Sequence, residues 1–349
     1  MDTGGSLTDS CDINGRQSIH KFLAKFRLPG EENRLNYAIF REICATLFPP
    51  DEIKRNEWRI EEVFCLFDQD RDGILKGDEW KMFCNWLRAI IGPVNILLVV
   101  DVQNDFIDGF LALRNCKCKQ DGLEVVEPIN RLIKKGFFDK IIYSQDWHPE
   151  DHISFYENLH LRELHPDSEV RKENAKPFDN VIFAKPYLKQ TLWPKHCLMN
   201  TWGSQLHQDL VIAPGSEQVR KGQNPDADAY SVFMGYSNGA TELEKLLGKP
   251  GPIHLYVCGL AYDICVAATC LDGLRLGYAV ATIDDCCRGT DAANIEANKK
   301  LISENGGLIV SSDHVLSLVN DKKRSLIMSH QSAKAMASIS LPENSSNIS

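Results

Sequence analysis

The chain has 349 residues, 25% of them charged and 43% hydrophobic, with a formal net charge of −9 at pH 7; this suits a soluble protein of about two domains. The acidic balance gives no electrostatic footprint for nucleic acid or an anionic membrane, so neither is expected as a partner. The longest mostly apolar stretches, Ile96 to Val102 and Ile253 to Leu260, are too short to span a bilayer. The first thirty residues hold no basic start followed by an apolar core, so no secretory signal is expected. Twelve cysteines, scattered without a CxxC pair, fit reduced thiols. A cytoplasmic address follows by default, with the nucleus also open.

Residues 1–17, rich in Gly, Ser and Asp, are expected to be a disordered N-terminus. From 18 to 92 the pattern is helical, with Phe22, Phe26, Ile39, Ile43 and Leu47 spaced by three and four. Inside it, Asp68 to Glu79 fits the calcium loop D-x-D-x-D-G-x5-E at every required position. Asp68, Asp70 and Asp72 would supply carboxylate oxygens, Ile74 its carbonyl and Glu79 a bidentate carboxylate, with Gly73 at the sharp turn. Lys76, at the ninth position, cannot be a side-chain ligand, which argues for modest affinity. Forty residues upstream, Leu28 to Ile39 places Leu35 where Leu75 sits, but lacks carboxylates at the first, third and last ligand positions. It is expected to be a degenerate, metal-free partner loop. Gly92 and Pro93 then break the last helix and mark the domain boundary.

Past that boundary comes the run Val94 to Phe106, VNILLVVDVQNDF, in which six of the seven residues from Ile96 to Val102 are apolar, the character of a strand covered on both faces. Strands are expected at 96–101, 140–144, 180–184, 210–212, 253–259, 278–283 and 307–311, and helices at 123–135, 240–247, 263–276 and 292–304. This alternation predicts an α/β fold, a three-layer α/β/α arrangement around a mainly parallel sheet over 93–320, preceded by a small all-α domain. The polar stretch 151–195 is long for a single connection and is expected to include an active-site loop. Residues 321–349, poor in bulky apolar side chains, are expected to be a flexible C-terminal tail.

Several residues carry chemistry. Asp101 falls at the carboxyl edge of a central strand, where ligands bind in open α/β sheets, although it could equally cap a turn with Asn104 and Asp105. Asp146 and His148 lie two apart on an extended stretch and so share a face; with the distant His196 they would suit Zn²⁺, Fe²⁺ or Mn²⁺. His152 could complete that shell or hydrogen-bond behind it. Lys221, between Arg220 and Gly222, looks locally like a solvated surface charge. Cys265 follows an apolar strand and a Gly turn at the start of a helix, where unpaired N–H groups and the helix dipole would lower its pKa. Cys258 and Cys270 fit buried, inert thiols better.

Taken together and in order, DVQNDF, DWHPEDH, WPKH, Lys221-Gly222 and GLAYDIC resemble the nicotinamidases of the isochorismatase-like hydrolase superfamily. With a calcium-loop domain in front, the whole is similar to animal nicotinamidases that carry an EF-hand module. The resemblance covers about residues 94–315 and departs at Tyr262, where many relatives have threonine. It implies an Asp101–Lys221–Cys265 triad, with Asp101 as general base and Cys265 as nucleophile on the carboxamide of nicotinamide. It further implies an oxyanion hole from the N–H groups of Ala261 and Cys265, with a cis bond before Ala261. By the same resemblance, Phe106 and Trp193 sandwich the substrate ring and a metal on Asp146, His148 and His196 anchors the pyridine nitrogen. A homo-oligomer is compatible with it. The rival expectations are a hydrolase of another small amide or enol ether, and a calcium-binding adaptor whose hydrolase domain has decayed; none of the triad residues is missing.

Overall fold

The computed structural model describes residues 22–26, 34–234, 241–321 and 323–340. The expected disordered stretch 1–17 and residues 28–33 of the degenerate loop lie outside these.

A helical unit comes first. Leu35–Asn36 (β1) leads into Tyr37–Leu47 (α1), whose N-cap Asn36 accepts the Ile39 N–H at 3.0 Å. Pro50–Phe67 (α2) starts with proline at its first position and Asp51 and Glu52 in its first turn, all favourable at a helix N-terminus. Ile74–Leu75 (β2) and Gly77–Ile91 (α3) follow. The two short strands pair antiparallel with Leu35 opposite Leu75, the two positions that forty-residue spacing relates. Phe40, Ile43, Phe67 and Trp86 are among the side chains that form this unit's core.

Gly92 ends α3 and Val94–Val100 (β3) begins the second unit. The main sheet joins β3 to Lys140–Asp146 (β4), Glu217–Lys221 (β7), Ile253–Leu260 (β8), Ala279–Arg288 (β9) and Leu308–Val310 (β10). Its order is β10-β9-β8-β3-β4-β7, with every neighbouring pair parallel. This is the three-layer α/β fold expected of the alternation. Val126–Lys135 (α5) meets Ser312–Asn320 (α9), while Ala267–Arg275 (α7) meets Ala292–Glu304 (α8). Asn104–Ile107 (α4) and Glu242–Leu247 (α6) are short connectors, α6 being capped by the Thr241–Glu244 box. No helix among the described residues is long and apolar enough to cross a membrane.

Three expectations are corrected. Residues 210–212 form a loop: Leu210 alone is buried there and Ile212 is 45% exposed, while the strand beside β4 is the polar segment Glu217–Lys221. Asn180–Phe183 (β5) is a strand, but it pairs with Leu188–Thr191 (β6) in a separate hairpin. The tail is not free from 321 onward, because Leu326–Ser340 (α10) is a helix buried against both units. Its alanines favour helix, and their small size lets two layers close on it. Burying Leu326 contributes about 1.5–3 kcal/mol, and it does so in the core that holds Phe40, Phe67 and Trp86.

Candidate active site

The site grows from the carboxyl edges of four adjacent strands, β8, β3, β4 and β7, the edge at which parallel sheets present ligand-binding groups. Asp101 follows β3, Asp146 ends β4 and Lys221 ends β7, with Asp146 and Lys221 directly opposite in the register. Cys265 lies in the π-helical turn Tyr262–Val266 after β8. At Gly259 an added Cβ would lie 2.0 Å from the Val100 carbonyl oxygen. Only glycine lets β8 come this close to the end of β3, and so brings Cys265 to Asp101.

Lys221 joins these groups. Its ammonium contacts Asp146 Oδ1 closely, lies 2.9 Å from Asp101 Oδ2, donates to the Ala229 carbonyl at 3.1 Å and to Cys265 Sγ at 3.4 Å. The contact with Asp101 is a close ion pair without hydrogen-bond alignment. The surface lysine that its neighbours suggested is thus buried, only 4% exposed. Ser144 donates to Asp101 Oδ1 at 2.6 Å. Burial pushes the Asp101 carboxyl above the usual carboxylate range, with Lys221 pulling against it. For Asp146 burial also opposes ionisation, but Lys221 and then His148 outweigh it and hold that carboxyl well below the usual range.

The expectation of a lowered Cys265 pKa is corrected. Burial pushes the thiol well up, with Lys221 acting the other way. A thiol so placed needs a base beside it to attack.

Next to this cluster, ligand atoms of Asp146, His148 and His196 lie within 4.8 Å of one another. His148 Nδ1 meets the Gly222 carbonyl at 2.8 Å and His196 Nδ1 the Pro194 carbonyl at 2.8 Å. Donation to those carbonyls leaves each Nε2 facing Asp146 Oδ2, at 3.6 and 3.9 Å. Such outer contacts are how proteins aim imidazoles at a cation. Gly222 has φ +70°, and a Cβ there would lie 2.3 Å from the His148 ring. His152 is fully buried with Nδ1 2.8 Å from the Ser154 hydroxyl and Nε2 unpartnered. Burial, and then the neighbouring His148, lower its pKa to about 4. The donor set of one carboxylate and two neutral-capable imidazoles, with that orphaned nitrogen beside it, fits a divalent cation.

A small cavity opens in front of both groups. Phe106, Leu111, Leu113 and Trp193 give it apolar walls, and Asp146, His148, His196, Ala261 and Cys265 give it a polar floor. The peptide bond between Leu260 and Ala261 is cis. A wider, open hollow outside shares Trp193, Tyr230, Ile264 and Thr290 with it.

Sequence reasoning missed two participants. Asp228 groups with His148 and His152 within the same 4.8 Å limit and accepts from Gln190 at 2.9 Å. Gln103 brackets Asp146, donating to its carbonyl and accepting its N–H, both at 2.8 Å. A polar residue one step past Val102 was the available signal for Gln103; Asp228 had none beyond its place in DADAYS.

The residues expected to form a calcium loop stand apart, between α2 and α3. Asp68 accepts the Gly73 N–H at 3.1 Å and Asp72 the Ile74 N–H at 2.9 Å. Glu79 accepts the backbone N–H groups of Gln69 and Asp70 at 2.7 and 3.1 Å. Lys76 folds back over the loop, 3.1 Å from Asp70 and in close contact with Asp72.

Residues 95–314 match the isochorismatase domain family. The chain is 37% identical over 204 residues to a nicotinamidase of Escherichia coli, spanning 57% of this chain and 85% of that protein. A nicotinamidase of Saccharomyces cerevisiae is 35% identical over 198 residues, 55% of this chain and 87% of that one. Among solved structures, an Acinetobacter baumanii nicotinamidase and pyrazinamidase superposes with a TM-score of 0.52 at 32% identity, covering 64% of this chain and 98% of the other. Yeast nicotinamidase bound to the inhibitor nicotinaldehyde superposes with a TM-score of 0.50 at 28% identity, over 62% and 99% of the two chains.

Proposed function

Because the chain belongs to the isochorismatase family, we propose that it is an amidohydrolase that converts nicotinamide to nicotinic acid and ammonia, a reaction of NAD salvage. The observation that carries the reading is the buried Lys221 ammonium, in contact with Asp101, Asp146 and Cys265 at the floor of a cavity walled by aromatic and aliphatic side chains.

Asp101 takes the thiol proton as Cys265 sulfur bonds to the carboxamide carbon. Lys221 offsets the charge that the pair develops. The N–H groups of Ala261 and Cys265 receive the oxygen of the tetrahedral intermediate. As the C–N bond breaks, Asp101 passes the proton to the departing ammonia, leaving a thioester. Water then adds to the acyl carbon, giving a proton to Asp101; the C–S bond breaks, nicotinic acid forms and the proton returns to the thiolate. The raised Asp101 pKa brings that carboxyl closer to the working pH of a group that both accepts and returns a proton. Asp146, His148 and His196 would hold a divalent cation, Zn²⁺, Fe²⁺ or Mn²⁺, which supplies a Lewis-acid anchor for the pyridine nitrogen. Phe106 and Trp193 offer flat faces to the ring.

In front of the hydrolase unit, 93–320, we read residues 18–92 as an EF-hand pair with one working loop. Asp68, Asp70, Asp72, the Ile74 carbonyl and Glu79 would hold Ca²⁺. Support comes from the oxygens of Asp68, Asp70 and Asp72, within 4.8 Å of one another, and from Leu35 lying opposite Leu75.

Ammonia release from nicotinamide by the purified chain tests the activity. Cys265→Ala should lower turnover by roughly a thousandfold or more while nicotinamide still binds. Cys258→Ala, at a thiol that burial holds protonated, should keep most of it. Equal loss in both, or no ammonia from the unaltered chain, contradicts the reading.

A further inference from the structure

Helix α10 is buried on two opposite sides. At 100° per residue, Leu326, His330, Ala333 and Ala337 fall on one face, and Met328, Gln331 and Ala335 on the other. Leu326, Ala333 and Ala337 belong to the core of the helical unit, whereas Met328 belongs to the core of the hydrolase unit. Of residues 326–338 only Lys334 and Ser338 are exposed, so this helix lies between two bodies.

The polar contacts divide in the same way. On the helical unit's side, Glu52 in α2 accepts from the Ser325 hydroxyl at 2.8 Å and the Ile327 N–H at 3.3 Å. Arg59 donates to His330 Nδ1 at 2.9 Å and Glu62 accepts from His330 Nε2 at 2.9 Å, both from α2. Trp86 in α3 donates to the Ser329 carbonyl at 2.8 Å. On the hydrolase side, Gln331 donates to the Asn305 carbonyl at 3.3 Å. Gly306 beside it, at φ +88°, lies so close that a Cβ would meet Gln331 Nε2 at 1.7 Å.

The two helices that grip α10 are the two that carry the calcium loop. Phe67, the last residue of α2, precedes Asp68, and Glu79 is the third residue of α3. The separation of α2 and α3 therefore sets both the spacing of the loop's carboxylates and the width of the groove that α10 fills. We propose that α10 is the internal target helix of the helical unit, and that cation binding at 68–79 and docking of α10 strengthen each other. The inference rests on the calcium reading above. With α10 seated, the three aspartates are already within 4.8 Å of one another, so the docked geometry is the one ready for the ion. Reciprocity is then required by linkage.

Calcium titration of the full chain by calorimetry, with hydrogen exchange of the 326–338 amides with and without Ca²⁺, tests this. Calcium should slow exchange along α10. Ala333→Asp, which puts a carboxylate into the seam, should speed that exchange and weaken calcium binding by at least about fivefold, the lower end of usual couplings. Glu52→Ala, which touches only the first turn of α10, should do both to a smaller degree and serves if Ala333→Asp does not fold. No slowing by calcium in the unaltered chain overturns the linkage, as does unchanged affinity in a variant whose α10 exchanges faster. A full chain that binds no calcium overturns the calcium reading and the linkage together.

Discussion

At the scale of single residues, the candidate site depends on groups whose surroundings reverse their ordinary behaviour. Lys221 looks like a surface cation from its neighbours in the chain, yet it is the buried counter-charge of two carboxylates. No local pattern can announce this, because the partners arrive from strands 75 and 120 residues away. Gly222 beside it is legible only as part of a motif, but its physical demand is plain. Gly222→Ala would strain a left-handed backbone and press on the His148 ring. It should lower the affinity for Zn²⁺, read by metal analysis after dialysis, and turnover with it. In the calcium loop, Lys76 already occupies the company of Asp70 and Asp72 as a tethered cation. On the calcium reading proposed above the ion has to displace it, so Lys76→Ala should tighten calcium binding severalfold in a calorimetric titration; unchanged or weaker binding would contradict that role.

At the scale of elements, apolar runs were legible and polar or small-residue elements were not. Strands β3 and β8 declare themselves because every neighbour covers them. Strand β7, Glu-Gln-Val-Arg-Lys, is an edge strand with only Val219 and Lys221 buried, so no apolar run marks it. Helix α10 escaped for a related reason: its buried alanines and serines fill a narrow seam that bulky side chains would not fit. That seam gives a pH prediction. His330 faces Arg59 and Glu62 of α2, the edge of Trp58, and Lys334 on its own helix. Burial, with help from Arg59 and against Glu62, lowers its pKa. A depressed histidine favours the neutral folded form, so its contribution is full above the unfolded value of about 6.5. It is lost as pH falls from there through the folded value. Melting temperature should therefore drop as pH goes from 7 to 5, and His330→Gln should flatten part of that slope. An identical slope in the variant would remove His330 from the account.

At the scale of the molecule, the family match covers residues 95–314 and leaves the helical unit outside it. In the hydrolase unit the motifs after β3, β4 and β8 were readable because each ends a strand with a legible apolar run; Lys221-Gly222, at the end of the polar β7, was legible only as part of the ordered set. The clasp between the units was not, since its contacts with the helical unit join residues more than 230 positions apart, such as Trp86 and Ser329. If the loop is a structural site, calcium should bind with a stoichiometry of one per chain, raise the melting temperature through binding to the folded state and leave nicotinamide turnover nearly unchanged. Two calciums per chain, or no thermal shift, would contradict this. The clasp also has a consequence for the order in which the protein is made. Helices α1 to α3 are complete at Ile91, but their groove is filled only by a helix that begins at Leu326. At ~5–20 residues per second of synthesis, Trp86 and the apolar side chains around it wait roughly 12–47 seconds for their cover. During that interval the nascent helical unit presents a sticky face on the ribosome, and a message cut short before residue 326 would release a chain that never hides it.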